Sequence, residues 1–414
     1  MRMEGRPRTA RHAFGMGTNR LTPWLAAGVL FAGAPPRLPA QQYDHGDPTP
    51  DEQLVLERIN RARANPDAEG ARLGLDLREG LPPGEAAGLG PRPPLAFHAA
   101  LLAAARAHAR DMHARHFFDH VNPDGLGPGE RARRAGYAWT RVGENIAAGS
   151  SPALHTPAYL QDLLMIDAGV DGRGHRRNLL DLSASTPPPP VFREIGVAYF
   201  ASPEPNLQGF RAFLTQDFGH RAGAPPLLVG VVYDDLDGDG FYDPGEGMPG
   251  VRIATDRGAA FAVTSASGGY ACPVPADGVV TARPLAEGAA WAPSVVRKAL
   301  LTGENVKLDF LRSDAVDTDA DGMPDAWERR HGLDPAAAED APRDADGDGF
   351  ANLEEFQFGT LPRDSASFPG APPPLPPTGS PPPEDGGTSG RCGLLGPEAL
   401  LILLGAARGR RRRS

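Results

Sequence analysis

The chain has 414 residues, enough for two or three domains of ~100–200 residues each. With 51 Gly and 45 Pro against 7% aromatic residues, it is excluded from being one large close-packed globule; much of the proline punctuates linkers. The formal charge is −10, and two Arg-rich ends conceal a more acidic middle, which argues against nucleic-acid partners and for cations.

Residues 1–40 read as a secretory signal. Arg2, Arg6, Arg8, Arg11 and Arg20 form a basic start, with Met16 an alternative initiator. Trp24 to Ala34 is apolar but shorter than the ~20 residues a membrane span needs. Leu38-Pro39-Ala40 offers a cleavage point after Ala40.

A segment over 45–222 mixes helical and strand patterns. The periodicity predicts helices over 53–64, ended by Asn65-Pro66, over 99–116, around 130–134 and over 157–164. A Gly/Pro loop fills 76–94, and strands are expected at 195–200 and 210–216.

Four motifs carry polar chemistry in this segment. They are Phe117-Phe118-Asp119-His120, Gly143-Glu144-Asn145-Ile146, Arg173-Gly174-His175-Arg176-Arg177-Asn178, and Glu194-Ile195-Gly196-Val197 followed by Thr215-Gln216-Asp217-Phe218. His116 and His120 have the spacing of a zincin helix, but that protease needs Glu after its first His and position 117 is Phe. His98, His108, His113 and His116 are read as surface or packing residues.

With the opening Glu57-Arg58-Ile59-Asn60-Arg61-Ala62-Arg63-Ala64-Asn65-Pro66, these motifs resemble, in order, the CAP superfamily in its bacterial, disulfide-free branch. The resemblance implies an α+β fold, an α-β-α sandwich, with a cleft where two His and two acidic residues can hold a divalent metal. His120, Glu144 and His175 match three of the four positions. The fourth is a glutamate in many members; here Asp167 is the best stand-in and Asp162 the alternative. Imidazole and carboxylate together suit zinc or another first-row metal.

Residues 226–312 are Gly-rich, with strands expected at 228–233, 250–254, 260–264, 269–273 and 278–283. This suits a small all-β, Ig-like sandwich. Cys272 falls in one strand and reads as a buried apolar residue; Cys392 lies far away, so no disulfide framework is expected. Residues 315–364 are dense in Asp.

The calcium-loop pattern D-x-D/N-x-D/N-G-x5-E occurs three times. The first loop is Asp235, Asp237, Asp239, Asp243, Glu246; the second Asp317, Asp319, Asp321, Asp325, Glu328; the third Asp344, Asp346, Asp348, Asn352, Glu355. Each supplies oxygen ligands, a Gly for the sharp turn and a Glu able to bind bidentately. Flanking helices are short or absent, so structural calcium is expected rather than a sensor. The 226–312 region is similar to B-type repeats of bacterial adhesins, and the last two loops resemble thrombospondin type 3-like repeats, modules that act as stalks.

A Pro/Gly-rich linker covers 365–391, expected to be disordered. Residues 392–414 place Cys392, an apolar stretch and an Arg run in the order of a bacterial C-terminal sorting signal, with Cys392 as the processing point. A simple tail anchor is the other reading, and either gives transient or lasting membrane contact.

The sequence therefore points to an exported or surface-displayed multi-domain protein. Its cleft would bind an extracellular lipid, glycan or peptide, or a metal. The alternatives are a metal-dependent hydrolase of envelope polymer or peptide and a purely adhesive protein. No Ser, Cys or zincin apparatus supports hydrolysis, so binding ranks first.

Overall fold

The computed structural model describes residues 41–151, 154–183, 185, 188–257, 260–285 and 295–370. The expected signal with Ala40, the linker beyond 370 and the tail with Cys392 lie outside the described residues. Among the described residues no helix is long and apolar enough to cross a membrane.

The first region opens with β1 (Gln41–Gln42) and α1 (Pro50–Ala64). Thr49 caps α1 in a reciprocal box: the Glu52 N–H donates to Thr49 Oγ1 and the Thr49 N–H to Glu52 Oε2. Asn65 ends α1, and its side chain accepts from the Ala68 N–H to start α2 (Pro66–Leu73). Then follow α3 (Pro83–Ala87), β2 (Ala96–Phe97), α4 (Ala99–Ala114), α5 (Pro128–Arg134), β3 (Arg141–Gly149), α6 (Pro157–Ile166), α7 (Gly174–Leu179), β4 (Glu194–Ala201) and β5 (Ala212–His220). The expected 76–94 loop thus contains a short helix, and the Gly143-Glu144-Asn145-Ile146 motif lies within a strand, β3.

The sheet order is β2-β4-β5-β3, antiparallel except for β2 beside β4. Strand alternation sends its side chains to two cores. Ile146, Ala148, Ala198 and Phe213 meet Ala105, Ala109 and Met112 of α4. Their neighbours Ala147, Val197 and Leu214 meet Val55 and Ile59 of α1, Leu160 and Leu164 of α6, and Leu179 at the end of α7. Helices therefore cover both faces, and β3 forms one edge.

The second region contains β6 (Leu227–Tyr233), β7 (Arg252–Thr255), β8 (Ala260–Val263), β9 (Gly269–Pro273), β10 (Asp277–Leu285), β11 (Arg297–Thr302), β12 (Val306–Lys307) and β13 (Phe310–Leu311). One sheet runs β1-β8-β7-β10-β11; in the other β6 pairs with β12, β13 and β9. Both contribute to one core that includes Leu228, Ile253, Cys272, Val280 and Phe310. Burial pushes the Cys272 thiol up to about 12, as befits an inert packing residue.

All seven residues of β6 are buried. Leu228 and Val232 enter the core of their own region. Leu227 and Val229 instead pack on Ala96, and Val231 and Tyr233 on Leu54. The two regions are joined through this apolar interface. Burial on two faces explains why 227–233 is continuously apolar rather than alternating. β1 extends the join by pairing in parallel with β8.

The last part holds α8 (Asp325–His331) and α9 (Asn352–Phe358), each seven residues long. Met323, Trp327, Ala341 and Phe356 form their shared core.

Candidate functional site

Two imidazole–carboxylate pairs flank the edge strand β3. His120, just past α4, meets Glu144 of β3, Nδ1 to Oε1, at 2.7 Å. Arg131 of α5 closes on the other oxygen of Glu144. His108 of α4 places Nε2 3.9 Å from that same oxygen. Burial pushes Glu144 upward, but the His120 hydrogen bond and the charge of Arg131 outweigh it and hold the carboxyl below the usual range. Burial lowers the His108 pKa, keeping that ring neutral.

The second pair is His175 and Asp167, Nδ1 to Oδ1, at 2.7 Å. Asp167 ends α6 in the left-handed conformation, φ 54°. Its Oδ2 accepts the backbone N–H of His175 at 2.9 Å and of Arg176 at 3.2 Å. The carboxylate is fully buried and so fixes both the start of α7 and the tautomer of its ring. Asn145 and Asn178 tie α7 to β3: Asn145 Nδ2 donates to the His175 carbonyl and Asn178 Nδ2 to Asn145 Oδ1. Asp162, the alternative fourth residue, is engaged elsewhere, in ion pairs with Arg58 and Arg72.

The pairs are supported from opposite faces. Glu144 shares the parity of Ile146 and Ala148, which face α4, whereas α7 packs with Ala147 on the other side. Among the described residues no three of these His and acidic side chains bring ligand atoms within 4.8 Å of one another. Each carboxylate instead lies on Nδ1, behind its ring, and neither Nε2 has a hydrogen-bond partner among the described residues. Such backing is how outer-shell carboxylates orient metal-binding or proton-transferring histidines. By donor type alone, two imidazole nitrogens suit zinc or another first-row metal.

Two residues outside the expected set also face Glu144, His108 of α4 and Asp217 of β5. Asp217 on β5 sits directly opposite Glu144 on β3, fully buried, with no donor to either oxygen among the described residues. Burial and the Glu144 charge push its carboxyl well above the usual range. The signal was Asp217 itself, a charge inside an otherwise core-like strand.

The acidic loops bring many of their predicted ligands together. Asp235, Asp237 and Glu246 offer oxygens within 4.8 Å of one another, as do Asp237, Asp239 and Asp243; so do Asp317, Asp319 and Asp321, and Asp344, Asp346 and Asp348. Glu328 and Glu355 are 0% exposed. Both oxygens of Glu328 and Oε2 of Glu355 lack hydrogen-bond partners among the described residues, as do Oδ2 of Asp319, Asp321, Asp346 and Asp348. Burial and neighbouring carboxylates push Glu328 up to about 8 and Glu355 to about 7. Buried polar groups are rarely left unpaired; a hard cation with six to eight oxygen ligands would satisfy this set.

Two members depart from the pattern. Asp325 is turned to Thr318, accepting from its N–H and hydroxyl at 2.8 Å each, and to Arg329. Asn352 donates to the Asp340 carbonyl at 2.8 Å. A residue outside the pattern, Asp340, joins Asp321 and Glu328 within 4.8 Å.

Residues 56–186 match the family model CAP, the Cysteine-rich secretory protein family. The chain thus carries a CAP domain, with mixed α/β content and additional β-sheet regions after it. It is 32% identical over 109 residues to the uncharacterized protein YkwD of Bacillus subtilis (strain 168), covering 26% of this chain and 36% of that one. The chain thus spans about a third of this curated relative's length. Two solved structures are also similar. One is an extracellular protein containing a SCP domain from Bacillus anthracis str. Ames, at 22% identity and TM-score 0.26, covering 41% of this chain and 40% of that one. The other is an outer surface protein from Borrelia burgdorferi, at 14% identity and TM-score 0.22, covering 30% of this chain and 74% of that one.

Proposed function

We propose that this is an exported CAP-domain protein whose cleft binds a ligand through His120 and His175, on a carrier built around structural calcium. The observation that carries the cleft reading is the pair of carboxylate-backed rings. Glu144 and Asp167 each hold an Nδ1 at 2.7 Å, which leaves Nε2 of each ring for a divalent metal such as zinc or for a polar group of a lipid, glycan or peptide. Neutral imidazole with a fixed tautomer is the form that ligates. A bound zinc would supply Lewis acidity; the residues themselves orient and hold.

Export is supported by the basic and apolar start of the chain and by the acidic loops, which millimolar extracellular calcium would keep filled. The Ig-like and thrombospondin type 3-like assignments belong to this reading, as does a sorting or anchoring role for the tail.

The test is zinc titration of the full chain, in millimolar calcium, by isothermal calorimetry. His120→Ala and His175→Ala are each expected to lower zinc binding by about tenfold or more. Equal binding in wild type and both variants would remove the cleft from the account.

A further inference from the structure

The second acidic loop is completed from outside itself. Glu328, at position twelve of that loop, is fully buried with both carboxylate oxygens unpartnered among the described residues. One of its oxygens lies within 4.8 Å of ligand atoms of Asp321 and Asp340. Asp340 stands nineteen residues beyond Asp321, in the connection between the two loops, and its Oδ1 is likewise buried without a partner. Its Oδ2 accepts the Asp334 N–H at 3.0 Å, which fixes the carboxylate's direction.

The position-nine residue Asp325 meanwhile spends both oxygens on Thr318 and Arg329. The ninth position is thus engaged, while Asp340 of the inter-loop connection offers an oxygen beside Asp321 and Glu328. The same residue reaches the third loop through its backbone. Asn352 Nδ2 donates to the Asp340 carbonyl at 2.8 Å, and the Leu353 N–H donates to the carbonyl of the next residue, Ala341, at 3.1 Å. Asn352 is the ninth residue of the third loop and the first of α9. Ala341 packs with Met323, Trp327 and Phe356, so the connection cannot shift without disturbing the core common to both loops.

We propose that Asp340 is a calcium ligand of the second loop and that it couples the second and third sites into one cooperative unit. An ion at the second loop draws in the Asp340 carboxylate. That fixes the Asp340 carbonyl, which in turn holds Asn352 at the mouth of the third loop. By linkage, calcium at the third loop favours the second to the same degree. This rests on the calcium reading above and adds to it a ligand and a coupling that the loop pattern does not contain.

The experiment is calorimetric titration of the chelator-treated full chain with Ca2+. Asp340→Asn is expected to weaken one site by about tenfold or more and a second by several-fold. Asp325→Asn should keep the wild-type calcium number. Glu355→Gln, at the third loop, should weaken the second loop as well. Wild-type affinities in D340N would overturn the ligand assignment, and loss confined to one site in both D340N and E355Q would overturn the coupling. Should D340N fold poorly, the calcium-loaded wild-type structure decides: an Asp340 oxygen at about 2.4 Å from the ion is expected, and one beyond coordination distance defeats the proposal. A wild-type chain that takes up no calcium would instead overturn the carrier reading itself.

Discussion

Lys307 Nζ on β12 lies 2.9 Å from Glu57 Oε2 on α1. The pair crosses from the second region to the CAP domain, and Glu57 is 4% exposed. Around it Asn305 donates to the carbonyls of Arg193 and Pro94, so polar contacts seal the apolar face of β6. Lys307→Ala would strand a buried carboxylate. The expected cost is ~3 kcal/mol of stability, read by urea unfolding. Glu57→Gln should cost less, because Gln53 Nε2 already bonds that side chain at 2.7 Å. A K307A chain as stable as wild type would contradict a structural role for this join.

Asp167→Asn separates fold from binding. Asn tolerates the left-handed conformation and can still accept the two backbone N–H groups, so the expected change in stability is within ~1 kcal/mol. Its effect on His175 should be larger, since a neutral amide no longer backs the ring. Zinc affinity is expected to fall about tenfold. Calorimetry alongside thermal melting checks both halves; a weakened fold with unchanged zinc binding would invert the assignment.

Gly196 in β4 packs against α4 at Leu101, where an added Cβ would land on the carbonyl group. No flexible side-chain end is there to yield. Gly196→Ala is expected to destabilise the CAP domain by about 3 kcal/mol, with loss of soluble protein or a much lower melting temperature as the readout.

The acidic loops give a pH dependence with a definite sign. Burial and surrounding charge push Glu328 up to about 8 and Glu355 to about 7, from an ordinary 4.5. The folded chain therefore binds protons that the unfolded chain has released. Without calcium, their contribution to stability is full below about 4.5 and is lost as pH rises towards 8. If calcium fills the loops as proposed, it takes the place of the proton and removes the loss. Melts at pH 5 and pH 8, with chelator and with calcium, test this, and Glu328→Gln should flatten the chelated profile. A chelated wild-type chain no less stable at pH 8 than E328Q, relative to pH 5, would contradict it.

Much of this architecture was legible because local chemistry and tertiary packing agree. The 53–64 periodicity matches α1 (Pro50–Ala64), and the strand expected at 195–200 matches β4 (Glu194–Ala201). Several of the elements beyond those expected depend on long-range contact. β12 and β13, two residues each, exist because β6 lies beside them. β1 exists because β8 does. At the candidate site, the family resemblance names His120, Glu144, His175 and Asp167 as expectations, whereas their grouping into two pairs depends on which face of β3 each support occupies. Asp340 was invisible for a similar reason: no loop pattern predicts a ligand from the following connection.

The pairing of β1 with β8, taken with the β6 interface, bears on how the molecule withstands proteases. A single cut in the short connection between β5 and β6 would leave two pieces still held by strand pairing, apolar packing and the Glu57–Lys307 contact. The nicked product should migrate as one particle until denatured. Excising the CAP domain alone would instead bare Leu54 and Ala96, turning a permanent seam into a sticky patch.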